Sequence, residues 1–335
     1  MSLIIPGLPM THSKLLLAAI AMASIATMQV AAQHGYKAPR TPWGDPDIQG
    51  NYTNLTEAGT PLEKPREFEG RNLKDISGDE LRTIKREAAQ RTINAFLGPT
   101  EAPDNWWQVA YKNIENGAQA WMVIDPPDGK VPPLTPEAQQ RQQAAQDARK
   151  RNTRGPADSY TDRSLYDRCI TRGFPSSGMP TIYGNSSQIV QGPGFVAIMY
   201  EMIHDTRLIP VAPANHLGTE IRSDMGYSRG HWEGDTLVVE TSHFLPRSVY
   251  RNANADRLKV VERFTPVSPT QLRWNVTVDD PTTWTKPWTF SMPLTLNPSE
   301  PMMPYECHEG NYGLKNILSA ARAEERKAAE GVSNP

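Results

Sequence analysis

Short runs of β-branched and aromatic residues with a period of two occupy the C-terminal half of this 335-residue chain and constrain its fold most. Residues 195–203, 236–241, 258–264 and 272–278 form the four clearest runs, and Gly, Pro, Asn and Asp separate them. No helical pattern lies between the runs, and parallel strands would need crossovers of about a dozen or more residues. The strands must therefore pair in antiparallel fashion.

This pattern predicts a mainly β protein in which an antiparallel meander forms a barrel or a sandwich, with a calycin-like barrel among the alternatives. The 30 prolines and 23 glycines agree with strands and turns rather than a helical bundle. Helical spacing of apolar residues also indicates a helix between Ser77 and Gly98, and a last helix over about 314–330. We therefore expect extended and helical segments before the β domain and a helix after it.

Composition divides the chain into four parts. We assign residues 1–32 to a signal peptide, 33–134 to an extended and helical segment packed on the core, 135–157 to a polar helical spacer, and 158–335 to the antiparallel β domain with its C-terminal helix. The helix of the spacer begins with an N-cap threonine, a first-turn proline and an acidic residue. Alanine is its only apolar residue up to position 151, so it has no apolar face to bury.

The first residues have the pattern of a secretory signal peptide. From Met10, a polar start with Lys14 precedes an apolar centre and small residues that end at Ala32, so 10–32 is a complete signal by itself. The apolar run is shorter than the roughly 20 residues of a membrane span, although an uncleaved anchor is the alternative. We expect a periplasmic or secreted protein with no integral membrane span after signal removal.

Export determines how the two cysteines, Cys169 and Cys307, are interpreted. In an oxidising compartment two cysteines most simply form one disulfide. The alternative makes Cys307, beside His308 and Glu309, a nucleophile or metal ligand, which requires a thiolate outside the cytosol. We predict the disulfide.

Seven segments of the chain resemble a family of secreted bacterial proteins of unknown function. They are TPWGDPDIQG at 41–50, IDPPDGKVPPLTPE at 124–137, DRCITRGFP at 167–175, GHWEGDTLVVET at 230–241, VERF at 261–264, TVDDPTTWTKPWT at 277–289 and CHEGNYGL at 307–314. The segments lie in order over most of the chain after the signal. The resemblance implies an exported, β-rich protein and supplies no activity.

Charge and motifs exclude several classes of partner and cofactor. Lys and Arg number 35 against 37 Asp and Glu, so no positive excess is available to neutralise phosphates, and we expect no nucleic-acid partner. The chain has no P-loop, G-x-G-x-x-G, G-x-S-x-G, H-E-x-x-H or C-x-x-C-H motif. No two histidines have a metal-ligand spacing such as H-x-x-x-H. We therefore expect no cofactor and no metal.

Two carboxylates lie on apolar rows of predicted strands. Glu262 shares a face with Val260 and Phe264, and Glu201 shares one with Met199 and neighbouring apolar residues. Such a carboxylate pairs with a base across the sheet, or lies at a strand end that reaches solvent, or is desolvated and acts as an acid or base. The sequence leaves these alternatives open.

The segment His308-Glu309-Gly310-Asn311-Tyr312 places an imidazole, a carboxylate, an amide and a phenol within five positions. A histidine oriented by a carboxylate can serve as a general base. Alternatively, Gly310-Asn311 forms a turn into the last helix, and His308 is only hydrogen-bonded nearby.

Two functions follow from these residues. In the first, the barrel mouth binds a small apolar or aromatic molecule, with acid/base chemistry for a lyase, isomerase or hydrolase reaction. Its ligand-binding residues would be Trp274, Trp284, Trp288, Tyr312 and Arg263, and its catalytic residues His308 and Glu309 with Glu262 or Glu201. The alternative is a non-catalytic periplasmic binding or envelope-interaction protein in which the tryptophans fill the core and the carboxylates are paired. The sequence decides neither enzymatic activity nor oligomeric state.

Overall fold

A computed structural model describes residues 36–97, 117–151, 157–181, 183–211, 221–299 and 302–331. The predicted signal peptide, residues 1–32, lies outside these ranges. Within them the chain has ten strands: β1 Gly50–Thr53, β2 Val123–Asp125, β3 Ser186–Gly192, β4 Phe195–Tyr200, β5 Thr206–Pro210, β6 Tyr227–Glu233, β7 Thr236–Ser242, β8 Lys259–Ser268, β9 Gln271–Asp279 and β10 Trp288–Leu296.

The ten strands form one antiparallel sheet that is nearly closed into a barrel. Its order is β5-β4-β3-β1-β10-β9-β8-β7-β6, and β2 pairs with β10 beside this path. The two end strands approach each other through side chains: Arg207 of β5 donates to Ser228 of β6, and Ile209 of β5 lies against Gly230 of β6. The prediction of a mainly β, antiparallel, barrel-like fold is confirmed.

Strand β1 was not expected inside the sheet. The sequence places the N-terminal segment over the core, but β1 lies between β3 and β10, where Tyr52 pairs with Ser187 on one side and Leu296 on the other. Gly50 permits this placement, because it has a φ of +145° and a Cβ there would collide with the Leu296 side chain. The sheet is therefore completed by residues from both halves of the chain.

Aromatic and aliphatic side chains fill the barrel. Buried and partly exposed residues alternate along β8 and β9, as the period of two predicts. The inward rows bring Phe264 and Trp274 together with ring centroids 6.2 Å apart, and Phe290 of β10 meets Trp274 edge-on at 5.8 Å. The interior is thus a packed core around these rings.

Three α-helices lie in the described ranges: α1 Gly78–Leu97, α2 Pro136–Arg151 and α3 Gly313–Ala329. Helix α2 begins at the predicted proline, and the Thr135 hydroxyl accepts a hydrogen bond from the Ala138 amide at 3.1 Å. Its first turns are anchored, because Ala138 is buried and Arg141 donates to the Thr283 hydroxyl at 2.8 Å. The proposed domain boundaries at 135 and 157 stay a prediction.

Candidate functional site

One end of the barrel carries a disulfide, an open groove and a cluster of tyrosines. Cys169 and Cys307 are bonded, with Cα atoms 5.8 Å apart, so the predicted disulfide is confirmed. The bond ties the segment that precedes β3 to the segment that leads into α3.

An open groove of about 450 Å³ lies beside the disulfide, and we call it the disulfide groove. Leu314 and Leu318 of α3 supply apolar surface to it. Its remaining lining residues are Asp167, Arg168, Cys169, His308, Asn311 and Lys315.

The disulfide groove has a positive character. Its one lining carboxylate, Asp167, is paired with Arg163 at 3.1 Å. The Arg168 guanidinium lies over the Tyr160 ring at 5.2 Å, and Lys315 is exposed on α3. An apolar surface beside two cations suits a small molecule with an apolar body and a negative charge.

The predicted histidine lies in this groove, without the predicted orienting carboxylate. His308 is exposed and lines the groove, but no hydrogen bond joins its imidazole to Glu309 within the described chain. Asn311 instead shapes the backbone, since its side chain bonds the Cys307 carbonyl and the Gly313 amide, both at 2.9 Å. This matches the alternative of a turn into the last helix.

Three tyrosines meet next to the disulfide groove, and we call Tyr166, Tyr183 and Tyr305 the tyrosine cluster. The hydroxyls of Tyr166 and Tyr183 are 3.3 Å apart, and the rings of Tyr183 and Tyr305 stack with centroids 6.5 Å apart. Burial, together with mutual hydrogen bonding, raises the pKa of both Tyr166 and Tyr305. These two phenols therefore remain protonated at neutral pH.

Arg172 lies against the tyrosine cluster. Its guanidinium carbon is 5.9 Å from the centre of the Tyr166 ring, and its Nη1 atom is buried without a hydrogen-bond partner among the described residues. Burial lowers the pKa of Arg172, although the nearby phenols and Asp205 oppose this. The nearby carboxylate of Asp205 already has hydrogen-bond partners, because its Oδ2 accepts from the hydroxyls of Thr171 and Ser177, both at 2.9 Å.

The backbone at this end is strained. Cys169, Ile203 and His204 have φ values of +54°, +60° and +47°, three of the six non-glycine residues with positive φ in the described ranges. A β-branched residue such as Ile203 rarely adopts this conformation. Such strain costs about 1–3 kcal/mol per residue and clusters at ligand clamps and active sites.

Glu262 lies elsewhere, inside the barrel, in a buried ion pair. Its Oε2 accepts from Arg207 Nη2 at 2.6 Å and its Oε1 from Trp274 Nε1 at 3.0 Å. Arg207 Nη1 also donates to the Tyr200 hydroxyl at 3.1 Å, and hydroxyls on β6 and β7 accept from Nη2. Both carboxylate oxygens are therefore engaged, which favours the paired alternative over an acid/base role.

The buried surroundings shift the pKa values of Tyr200 and Arg207, which lie next to Glu262. Burial raises the pKa of Tyr200 to about 12. Burial alone would lower the pKa of Arg207, but the charge interactions and hydrogen bonds with Glu262 and Tyr200 together outweigh it, and the pKa of Arg207 lies above its ordinary value. At neutral pH the barrel interior thus holds a charged arginine and a protonated phenol.

The three predicted tryptophans are core residues. Trp274, Trp284 and Trp288 are at most 2% exposed, and the rings of Trp284 and Trp288 meet at 5.8 Å. The cavity beside Trp274 measures about 10 Å³, which is space for no more than one water molecule. Among the described residues, the interior therefore offers no space for an aromatic ligand next to Trp274.

The other predicted residues are dispersed. Arg263 is partly exposed and pairs with Glu233 at 2.6 Å, Glu201 accepts from the Ser186 amide at 3.0 Å, and Tyr312 is 66% exposed ahead of α3. The described structure therefore does not bring the predicted catalytic and ligand-binding residues into one site, and their roles stay predictions.

Arg207, Arg172 and the tyrosine cluster were not predicted from the sequence. The sequence does contain a signal for Arg207. In the segment TRLIP it shares one face with Ile209, so an apolar strand face carries a base that could pair with Glu262. No local pattern marks the tyrosines, since they come from three distant segments. A second buried pair, Lys85 with Glu57 at 3.0 Å, was also not predicted; it joins α1 to the extended residues that precede it.

No three or more His, Cys, Asp or Glu side chains in the described ranges are grouped to hold a metal ion. None of the described helices is long and apolar enough to cross a bilayer. Comparison of the chain with models of protein families, with curated proteins and with solved structures finds no match.

Proposed function

We propose that this protein is an exported binding protein for a small aromatic or apolar carboxylate, which it holds in the disulfide groove. The observation that carries the proposal is the groove itself, about 450 Å³ in volume, with an apolar surface from α3 and two cations, while its one carboxylate is neutralised by Arg163. The apolar body of the ligand would cover Leu314 and Leu318, and its carboxylate would face Arg168 and Lys315.

Binding without catalysis is the function that the site supports best. The His308 imidazole has no described partner that would fix its orientation, whereas a general base needs a held geometry. Export is supported by the disulfide, which is typical of oxidising compartments, and by the signal pattern of residues 10–32. N-terminal sequencing of the exported protein tests this part and should give a start near Gln33.

Calorimetric titration with matched compounds tests the ligand. Benzoate and phenylacetate should bind saturably, and their uncharged amides should bind more weakly, because only the carboxylates meet the two cations. Leu318→Asp should reduce carboxylate affinity by roughly tenfold or more, since it places a negative charge on the apolar surface. Ser319→Asp adds the same charge at an exposed neighbouring position of α3 and is the control.

The proposal predicts a clear difference between these variants. Equal affinity of Leu318→Asp and Ser319→Asp, or equal binding of acids and amides, would contradict it.

A further inference from the structure

Arg172 is a cation whose immediate surroundings contain too few acceptors. A guanidinium has five N–H donors and no acceptor. Its Nη1 is buried without a partner, and no carboxylate lies within ion-pair distance of it in the described part of the chain. Burying an unpaired donor of a charged group is unfavourable, so native structures rarely leave one.

The side chains around Arg172 add further donors. The hydroxyls of Tyr166, Tyr183 and Tyr305 interact with one another, and that of Tyr166 also lies 3.5 Å from Met202 Sδ. Each phenol can accept hydrogen bonds and can turn its one hydroxyl hydrogen toward an anion. The carboxylate of Asp205 already accepts two hydroxyls and the Arg172 backbone amide. The place is therefore rich in donors and a cation, which is the chemistry that recognises an oxyanion.

The tyrosine cluster is also within reach of solvent. Tyr166 is 38% exposed, and Tyr305 belongs to the segment that leads to the disulfide, where its carbonyl oxygen lies 3.2 Å from His204 Nδ1. His204, which contacts this segment, is one of the strained residues. A ligand that displaced the Tyr305 hydroxyl from its phenol partners would reach the guanidinium.

We propose that Arg172 and the tyrosine cluster form an oxyanion-binding site, separate from the disulfide groove, in which the guanidinium holds the anion and the phenol hydroxyls donate to it. A carboxylate and a phosphate share this chemistry, because both offer two oxygens to the planar guanidinium. Inorganic phosphate and acetate are therefore the two probes, and chloride at the same ionic strength is the reference.

The experiment measures the affinity of each probe by calorimetry, with the melting temperature as a second readout. In the unmodified protein at least one probe should bind saturably and raise the melting temperature above that in chloride. Arg172→Gln should weaken binding by roughly tenfold to a hundredfold, because it removes a charged donor. Arg66→Gln, which removes an exposed arginine of the N-terminal segment that belongs to neither site, should leave the affinity unchanged.

A second variant keeps the test informative should Arg172→Gln fail to fold. Tyr305→Phe retains the stacked ring and removes only the hydroxyl, and it should weaken binding by roughly threefold to tenfold. No saturable binding of either probe, or equal binding by the unmodified protein and the folded variants, would overturn the proposal. Loss of phenylacetate binding in the Leu318→Asp variant with intact phosphate or acetate binding would separate this site from the disulfide groove.

Discussion

Glu262 and Arg263 are neighbours in the chain with opposite surroundings. Glu262 points into the barrel, is fully buried and pairs with Arg207, whereas Arg263 points outward to a partly exposed pair with Glu233. The period of two in β8 produces this contrast. Substitutions at these two positions can therefore be compared to measure how much a buried ion pair and an exposed one contribute to the free energy of unfolding.

Replacing Glu262 with Gln should lower the free energy of unfolding by about 3–5 kcal/mol, because Arg207 would remain buried without its counter-charge. Arg263→Gln should change it by about 1 kcal/mol or less, since its pair is open to solvent. Urea unfolding of both variants measures the difference. Similar losses in the two variants would mean that the interior pair is not desolvated.

The raised pKa of Tyr200 predicts that the barrel becomes less stable at alkaline pH. Below pH 10 its phenol is protonated in both states and contributes its full stability. Its pKa of about 12 in the folded protein means that, as pH rises past 10, the unfolded chain releases the proton first and unfolding becomes more favourable. The expected loss by pH 12 is roughly 2 kcal/mol.

Unfolding free energies between pH 9 and pH 12 test this expectation. Tyr200→Phe should show a shallower decline than the unmodified protein, whatever its starting stability. Tyr312→Phe, at an exposed position, should keep the original slope. Parallel slopes for all three proteins would contradict the raised pKa.

At the scale of elements, α3 is held by few contacts. None of its residues is buried, and Arg322 bonds the carbonyls of Ala157 and Asp158 at 3.3 and 2.7 Å. The disulfide lies just ahead of the helix. The position of α3, and with it one wall of the disulfide groove, therefore depends on Cys169 and Cys307.

Replacing both cysteines with serine should speed hydrogen exchange of the α3 amides while β8 and β9 remain protected. Carboxylate binding in the disulfide groove should weaken, because Leu314 and Leu318 would no longer be positioned. Arg322→Gln is the control and should have a smaller effect. Unchanged exchange in α3 after loss of the disulfide would show that packing alone holds the helix.

Elements with local signals could be predicted from the sequence. Helix α2 begins at Pro136 because its cap residues act within one turn, and β8 and β9 were found because their alternation is regular. Strands β1 and β2, of four and three residues, have no such signal, and distant partners decide their pairing. The same distinction applies to the candidate site. The disulfide could be predicted because two cysteines allow only one pairing, whereas the partners of Arg172 depend on how three segments meet in the fold.

At the scale of the whole molecule, β1 makes the N-terminal segment part of the sheet. Tyr52 is buried within β1, whereas Trp43, which precedes the strand in the same segment, is 37% exposed. We expect Tyr52→Ala to lower the free energy of unfolding by about 3–5 kcal/mol and Trp43→Ala to lower it far less. Far-UV circular dichroism and tryptophan fluorescence should report one common transition for both variants.

Two separate transitions in Tyr52→Ala would show that the β domain folds without the N-terminal segment.

The pairing of β1 with β10 also affects how fast the protein can fold. Tyr52 meets Leu296 across most of the chain, so this part of the sheet cannot form until nearly all residues have been synthesised. Contacts between residues so far apart in sequence slow folding, because the intervening chain must first lose entropy. A chain that folds slowly remains unfolded for longer during its synthesis, and the export that we propose would require such an unfolded chain.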